Sequence, residues 1–294
     1  MVITIFSTPK AFRGHFGIIQ RNAIQSWLHL PLDCEIILLC DDEGTSEVAS
    51  EFNLYHIPNV ACNEYGTPFV NALFSTAEKE AKYPILCYVN ADIIFMNDFI
   101  PALQKAFKYR PDSLIVGRRW DLDVHEPIDF SKEWEAELKK PLTKQGRLHS
   151  HAGIDYFVFP KELFGEIPPF LIGRPGWDNW LLYHARSKKI PIIDITKMAT
   201  VVHQNHDYSH HPKGERGVWK GEEAKYNWNL VGGYSHGYTL KDANYKLTQK
   251  GLKLNLSPYY FYRHLVTLSE YYPFFRPFVK LIRLGRGNPN PFVR

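Results

Sequence analysis

The stretch 83–96, YPILCYVNADIIFM, carries the strongest indication of the fold. Its apolar run 85–89 stops at Asn90-Ala91-Asp92 and resumes at 93–95. A short, nearly continuous apolar run is typical of a strand buried on both faces, as in the parallel sheet of an α/β protein. A carboxylate between two apolar segments is costly unless it is paired, hydrogen-bonded or bound to a metal. Asp92 is therefore either an ordinary turn residue after a strand or part of a functional site.

Strand-like and helix-like patterns alternate along the first part of the chain. This β-α-β-α-β-α-β order, which ends on the run 85–89, predicts a mostly parallel central sheet with flanking helices. The earlier elements are strands at 2–6, 34–40 and 54–57 and helices at 17–28, 45–52 and 67–82. Later segments predict a helix at 99–109, a helix ending at 186, and strands at 113–116, 153–160, 190–195 and 200–202, with an insertion or helical excursion at 122–149.

The composition is that of a globular protein. The 294 residues are 45% hydrophobic, and 35 basic against 31 acidic residues give a net charge of +4. Because the basic residues are spread along the chain except near its end, we expect no nucleic-acid partner. The four cysteines lack CxxC spacing, which favours reduced thiols and a cytoplasmic location. We expect no signal peptide, and no segment reaches the roughly 18 apolar residues that span a bilayer.

The sequence changes character after about residue 212, where Gly, Asn, Trp and Tyr become frequent. We therefore predict a first domain at 1–212 and a C-terminal extension at 213–294. The end of the extension mixes aromatic and basic side chains, so it either lies on an anionic membrane surface, at the inner face of the membrane, or packs on the first domain. The basic residues are Arg263, Arg276, Lys280, Arg283, Arg286 and Arg294.

The alternating first half and the motif Asn90-Ala91-Asp92 resemble the GT-A glycosyltransferases, in particular family 2, which use nucleotide-diphosphate sugars. The resemblance covers about residues 1–210 and implies a Rossmann-like catalytic domain, with a nucleotide-sugar half at about 1–120 and an acceptor half at about 121–212. The motif matches the DxD motif of that fold, with Asn90 in place of the first acidic residue. One carboxylate, that of Asp92, is left to contact a metal.

The resemblance also implies an imidazole ligand. His203 follows the predicted strand 200–202 and matches the C-terminal metal-binding histidine of many GT-A enzymes, with His206 as the fallback ligand. A hard divalent cation takes few protein ligands and keeps positions for phosphate and water, and Mn²⁺ tolerates nitrogen better than Mg²⁺ does. We therefore expect Mn²⁺, or Mg²⁺, at Asp92 and His203. The alternative for this segment, which also holds His210 and His211, is a solvated polar loop.

A second motif, GWDNW at 176–180, is similar to the acidic motif that presents a general base in inverting GT-A enzymes. A hydroxyl that attacks the anomeric carbon loses its proton during attack, and the carboxylate of Asp178 could take it. The alternative is an ordinary helix-capping Asp. Trp177 and Trp180 either offer flat faces to a sugar ring or pack in the core.

Further site residues are implied by the resemblance alone. Ser7, Thr8, Pro9 and Asp41, at the ends of the first two strands, would hold the base and ribose of a UDP- or GDP-sugar. Asn90 and Ala91, like Asp92, would also belong to the site that binds the nucleotide sugar. Arg118 or Arg119 would meet the diphosphate or the acceptor, and Asp155 would bind sugar hydroxyls. Each of these residues could instead be structural.

The leading hypothesis is a metal-dependent, inverting glycosyltransferase whose acceptor is a glycan or a lipid-linked sugar, as in polysaccharide biosynthesis. One alternative is a sugar-phosphate nucleotidyltransferase, although the N-terminal loop STPKAFRG lacks the Gly-rich, Arg-containing pattern that holds a triphosphate. The other is a non-catalytic nucleotide- or glycan-binding protein on a transferase scaffold, which the asparagine at position 90 favours.

Overall fold

The computed structural model describes residues 1–207, 213–275 and 277 and contains an α/β body with two sheets. The strands are β1 (Ile3–Ser7), β2 (Cys34–Leu39), β3 (Tyr55–Ile57), β4 (Ile85–Val89), β5 (Ile93–Phe95), β6 (Leu114–Val116), β7 (Trp120–Leu122), β8 (Arg147–Leu148), β9 (Tyr156–Pro160), β10 (Ile192–Asp194), β11 (Val201–Gln204), β12 (Tyr245–Thr248) and β13 (Gly251–Leu254). The helices are α1 (Gly14–Leu28), α2 (Thr45–Glu51), α3 (Val70–Glu80), α4 (Phe99–Tyr109), α5 (Trp134–Gln145), α6 (Trp177–Ser187), α7 (Gly214–Lys220), α8 (Glu222–Val231) and α9 (Pro258–Tyr271). Three single turns of 3₁₀ helix lie at Tyr234–His236, Leu240–Asp242 and Pro273–Phe275.

The larger sheet has nine strands in the order β13-β12-β10-β6-β9-β4-β1-β2-β3. Its pairs are parallel except where β9 lies between β4 and β6 and where β13 pairs with β12. The predicted α/β class with a mostly parallel sheet is therefore confirmed. Because β9 runs against β4, its first residue Tyr156 lies opposite Val89, the last residue of β4.

The strand β4 is buried on both faces, as its apolar run predicts. Leu86 and Tyr88 belong to one hydrophobic core, and Cys87 and Val89 belong to the core on the other side of the sheet. Each of the four is at most 2% exposed. The chain beyond β4 must therefore leave the core at the sheet edge, where the carboxyl ends of parallel strands create ligand sites.

A smaller sheet, in the order β5-β11-β7-β8, covers this edge. Its strand β11 pairs antiparallel with β5 and parallel with β7. The segment 122–149, predicted as a helical excursion, contains α5, which packs Trp134 and Leu138 against Ile94 and Val202 of this sheet. The smaller sheet thus carries residues from three distant parts of the chain to the end of β4.

Part of the predicted C-terminal extension joins the α/β body. The strands β12 and β13 extend the larger sheet, and Arg263 of α9 donates to the Asp242 carboxylate at 3.1 Å between Nε and Oδ1. The boundary at residue 212 and membrane contact of the tail stay predictions. Among the described residues, no helix is long and apolar enough to cross a membrane. The residues His210, His211, Arg276, Lys280, Arg283, Arg286 and Arg294 lie outside the described residues.

A buried hydrogen bond fixes the position of β5. Trp27 of α1 is fully buried, and its Nε1 donates to the Ile93 carbonyl at 2.8 Å. Replacing Trp27→Phe leaves that carbonyl without its donor, and we expect a loss of about 1–3 kcal/mol in the free energy of unfolding, measured by urea denaturation. The neighbouring Leu28→Ala, at a side chain 40% exposed, serves as control and should change stability by less than about 0.5 kcal/mol. Equal stability of the two variants would contradict this role.

Candidate active site

A cluster of one carboxylate and two imidazoles forms where β4 ends. The loop Asn90-Ala91-Asp92 joins β4 to β5, and the β5–β11 pairing places His203 opposite Ile93, the residue after Asp92. Oδ2 of Asp92 lies 3.8 Å from Nε2 of His203 and 3.0 Å from Nε2 of His206. One donor atom from each of the three side chains can be chosen so that all lie within 4.8 Å of one another. The two predicted ligands, Asp92 and His203, therefore lie close together, and the fallback ligand His206 lies beside them.

The cluster fits a divalent cation. The other carboxylate oxygen of Asp92, Oδ1, is buried and has no hydrogen-bond partner within the described part of the chain. An unsatisfied buried oxygen is costly unless something positive binds it. One carboxylate oxygen with two imidazole nitrogens suits Mn²⁺ and other divalent transition metals better than Ca²⁺ or Mg²⁺, which prefer oxygen.

The charges around Asp92 keep it ionised. Burial by itself would raise the pKa of this carboxyl, but the His203 and His206 imidazoles and the Lys10 ammonium together hold it well below its usual range. A metal ligand must be deprotonated, so this electrostatic environment suits the role. Lys10, which follows Ser7-Thr8-Pro9 and packs its ammonium 4.9 Å from the centre of the Phe16 ring, was not predicted as a site residue.

A second carboxylate lies behind His203. The β7–β11 pairing puts Asp121 opposite His203, with Oδ1 of Asp121 3.5 Å from Nδ1 of His203. The same carboxylate bonds Nε of Arg119 at 3.0 Å and Nδ1 of His149 at 2.7 Å. Burial raises its pKa, but His149, His203 and Arg119 outweigh burial and hold the pKa well below its usual range. Nδ1 of His203 makes no hydrogen bond among the described residues, so it is the negative charge of Asp121 at 3.5 Å that favours a proton there and leaves Nε2 facing Asp92.

The asparagine of the predicted motif holds another carboxylate. Asn90 accepts a hydrogen bond from the Tyr88 hydroxyl at 2.8 Å and donates through Nδ2 to Oδ1 of Asp155 at 2.8 Å. Arg119 pairs with the other oxygen of Asp155. The side chain of residue 90 therefore positions Asp155 at the start of β9, while Asp92 alone contributes a carboxylate to the cation cluster.

Asp178 lies near this network, in the first turn of α6. The preceding Gly176 has φ = 100°, a left-handed conformation that favours glycine and begins the helix sharply. Burial and then the Asp155 carboxylate raise the pKa of Asp178 to about 7, against the backbone N–H groups of Asn179 and Asp178 and the Arg119 guanidinium, which lower it. A carboxylate with a pKa near neutrality is suited to accept a proton from a hydroxyl.

The residues predicted to hold the nucleotide lie at the same sheet edge, after β1 and β2. Ser7 is buried and donates its hydroxyl to the Val89 carbonyl at 2.6 Å, so its side chain ties β1 to β4. Thr8 and Pro9 follow it. Asp41 is exposed, with Oδ1 3.7 Å from Nε2 of His56.

Three other predicted residues use their side chains for packing or backbone contacts. Trp177 contacts the Tyr88 ring in an edge-on arrangement, and Trp180 stacks on His184, so we assign both buried indoles to the core. Arg118 donates from Nε to the His149 carbonyl at 2.6 Å and from Nη2 to the Leu148 carbonyl at 3.2 Å. It is Arg119, the other arginine of the pair, that contacts Asp121 and Asp155.

Comparison with known proteins gives structural likeness only. No protein-family model and no curated protein sequence matches the chain. The chain is similar in structure to GalNAc-T7 with UDP, GalNAc and Mn²⁺ (15% identity, 75% of this chain and 44% of that chain, TM-score 0.48). It is also similar to the mannosyltransferase PcManGT from Pyrobaculum calidifontis with GDP-Man and Mn²⁺ (12%, 71% and 58%, 0.45) and to S. aureus TarS 1–349 (8%, 70% and 58%, 0.44). The chain spans about half the length of these solved chains.

The raised pKa of Asp178 predicts a pH-dependent cost in stability. The unfolded chain ionises this group near its ordinary value of 3.8, whereas the folded chain does so near 7. The folded state therefore retains the proton over this interval, and its stability falls as the pH rises from about 4 to about 7. Replacing Asp178→Asn removes this dependence, so the variant should gain more stability over wild type at pH 8 than at pH 5.

Urea denaturation at the two pH values measures this effect. The control is Asp112→Asn, at an exposed carboxylate in the turn after α4. A difference between Asp178→Asn and wild type that does not vary with pH would show that Asp178 ionises normally in the folded protein.

Proposed function

We propose that this chain is a metal-dependent glycosyltransferase that moves a sugar, with inversion, from a nucleoside-diphosphate donor to a hydroxyl of a glycan or lipid-linked acceptor. One observation supports the proposal: the Asp92, His203 and His206 donors lie within 4.8 Å of one another, and Asp155, which Asn90 and Arg119 hold, is close enough to Asp178 to raise its pKa. A cation site beside a carboxylate of near-neutral pKa is the pairing that transfer from a diphosphate leaving group to a hydroxyl requires.

The cation would be held by Asp92, His203 and His206. Their donor set favours Mn²⁺ over Mg²⁺ because two of the three ligands are nitrogen. When bound, such a cation neutralises the negative charge that develops on a departing diphosphate. Asp121 keeps the His203 ring oriented, with Nδ1 toward its own carboxylate and Nε2 toward Asp92.

The other residues act on the sugar and the acceptor. Asp178 accepts the proton of the acceptor hydroxyl as its oxygen bonds to the anomeric carbon and the bond from that carbon to the diphosphate oxygen breaks. Asp155, fixed by Asn90 and Arg119, accepts hydrogen bonds from sugar hydroxyls. The backbone of Ser7-Thr8-Pro9 and the Asp41 carboxylate, at the ends of β1 and β2, face the ribose and base of a UDP- or GDP-sugar.

Turnover of nucleotide sugars tests the proposal. We expect release of UDP or GDP from a matching donor with Mn²⁺, loss of release in EDTA, and recovery when Mn²⁺ is restored. The variant Asp92→Asn should lose Mn²⁺ binding and about 10²–10³-fold in rate, whereas Asp33→Asn, at an exposed carboxylate, should keep both. Full activity of Asp92→Asn would refute the metal assignment. Pyrophosphate release from a nucleoside triphosphate and a sugar phosphate would instead identify a nucleotidyltransferase, and nucleotide binding without turnover a binding protein.

The role of Asp121 has its own test. Replacing Asp121→Asn preserves the size of the side chain but removes the charge that orients His203, so Mn²⁺ affinity should fall about 10–100-fold. Electron paramagnetic resonance of free Mn²⁺ measures this affinity without any substrate. The control is Asp112→Asn, at the exposed carboxylate in the turn after α4. An unchanged affinity in Asp121→Asn would show that His203 needs no support from this carboxylate.

A further inference from the structure

The loop 149–152 lies beside the proposed base. Asn179, the residue after Asp178, donates its side-chain amide to the Ala152 carbonyl at 3.0 Å. Arg118 donates to the His149 carbonyl on one side of the loop, and the backbone N–H of Leu240 donates to the His151 carbonyl at 2.9 Å on the other. The loop therefore connects Asn179, the neighbour of the proposed base, with Arg118 and with the 3₁₀ turn Leu240–Asp242.

Cations gather around this loop. Burial first, and then the charges of Arg118, Lys241 and Lys246, together lower the pKa of His151 to about 4. The imidazole of His151 is thus neutral at physiological pH, within the influence of one arginine and two lysines. Arg118 follows β6, Lys241 lies in the 3₁₀ turn after Thr239, and Lys246 lies on β12, so three separate elements supply these charges.

A fourth cation directly faces one of these three. In the antiparallel β12–β13 pair, Lys246 lies opposite Lys253. Side chains directly opposite one another in such a pair share a face and lie about 4.5–5.5 Å apart at Cβ, and like charges there are destabilising. On its other side Lys246 neighbours Asp194 of β10, whose Oδ1 already accepts hydrogen bonds from the backbone and hydroxyl of Thr196. Asp194 is thus the carboxylate that the strand register places beside Lys246, and its charge also acts on Arg118.

We propose that Arg118, Lys241, Lys246 and Lys253 form a binding site for an anionic group of the acceptor, a phosphate or a sugar carboxylate. Such an anion would offset the repulsion between Lys246 and Lys253 and would accept hydrogen bonds from Arg118. Arg118 follows β6, and Lys246 and Lys253 lie on β12 and β13, whereas Asp92 of the cation cluster follows β4. That the anion belongs to an acceptor rests on the proposed function, but anion binding itself does not.

Nuclear magnetic resonance of the histidine rings tests the site in the full chain. The His151 signal is assigned by its loss in His151→Gln, and inorganic pyrophosphate or glucuronate is titrated in EDTA, so that no metal occupies the Asp92 cluster. A bound anion stabilises the imidazolium form, so the pKa of His151 should rise from about 4. A response to pyrophosphate alone identifies a phosphate-bearing acceptor, a response to glucuronate alone an acidic glycan, and a response to both an anion site that accepts either.

Charge-matched variants decide whether these lysines form the site. The double variant Lys246→Gln, Lys253→Gln should weaken binding of the responding anion about tenfold or more, whereas Lys79→Gln, Lys108→Gln, which removes the same charge from exposed positions on α3 and α4, should leave it unchanged. The single variant Lys253→Gln removes the repulsion with Lys246, so it should be at least as stable as wild type. It should nevertheless bind the anion more weakly, which distinguishes a binding role from a structural one, because loss of a structural role would lower stability.

Two results overturn the proposal. One is a His151 pKa that neither anion moves, and the other is equal binding by the two double variants. The variant Asp92→Asn distinguishes failure of the anion site from failure of the proposed function. It should lose Mn²⁺ binding but keep the response of His151 to the anion. If Mn²⁺ fails to bind wild type while pyrophosphate moves His151, the transferase proposal fails and the anion site stands.

Discussion

A buried carboxylate that lacks a full set of partners sets the main constraint on this structure. Asp92 leaves the core at the end of β4 with one oxygen facing two imidazoles and the other without a hydrogen-bond partner among the described residues. Such a group is tolerated in a folded protein only where positive charge compensates it. The smaller sheet supplies that compensation, because the β5–β11 pairing carries His203 and His206 to the carboxylate.

The hydrogen bonds and ion pairs around Asp92 connect the proposed cation site with the proposed general base. Arg119 contacts Asp121, which orients His203, and also pairs with Asp155, whose charge raises the pKa of Asp178. A single guanidinium therefore lies between the cation cluster and the proposed base. Asn90 completes the connection by fixing Asp155, which explains an amide at a position where the resemblance leads one to expect a carboxylate.

Much of the fold is readable from the sequence, because its signals are local. The apolar run 85–89 identifies a strand buried on both faces, and the pattern at 99–109 identifies α4 with the bounds that the structure has. The antiparallel direction of β9 is not readable, since a continuous apolar run looks the same in either direction. The strands of the smaller sheet are two to four residues long, too short for a periodic pattern.

The site is predictable where a motif marks a residue and unpredictable where tertiary pairing brings it in. Asp92, Asp178 and His203 follow or begin recognisable elements; the structure brings Asp92 and His203 together and places Asp178 within the influence of the Asp155 and Arg119 charges. Asp121 and Lys10 carry no local signal, because their roles arise from the β7–β11 register and from the burial of the loop after β1. The tryptophans of GWDNW look equally suited to a sugar or to a core, and only packing distinguishes the two.

Pulsed electron paramagnetic resonance of the protein with Mn²⁺ and a nucleoside diphosphate tests the central assignment most directly. The account predicts nitrogen couplings from two imidazoles and a phosphorus coupling from the diphosphate on the same ion, with one nitrogen coupling lost in His203→Ala and the other in His206→Ala. A bound Mn²⁺ that shows phosphorus but no imidazole nitrogen would place the cation away from Asp92 and contradict the account.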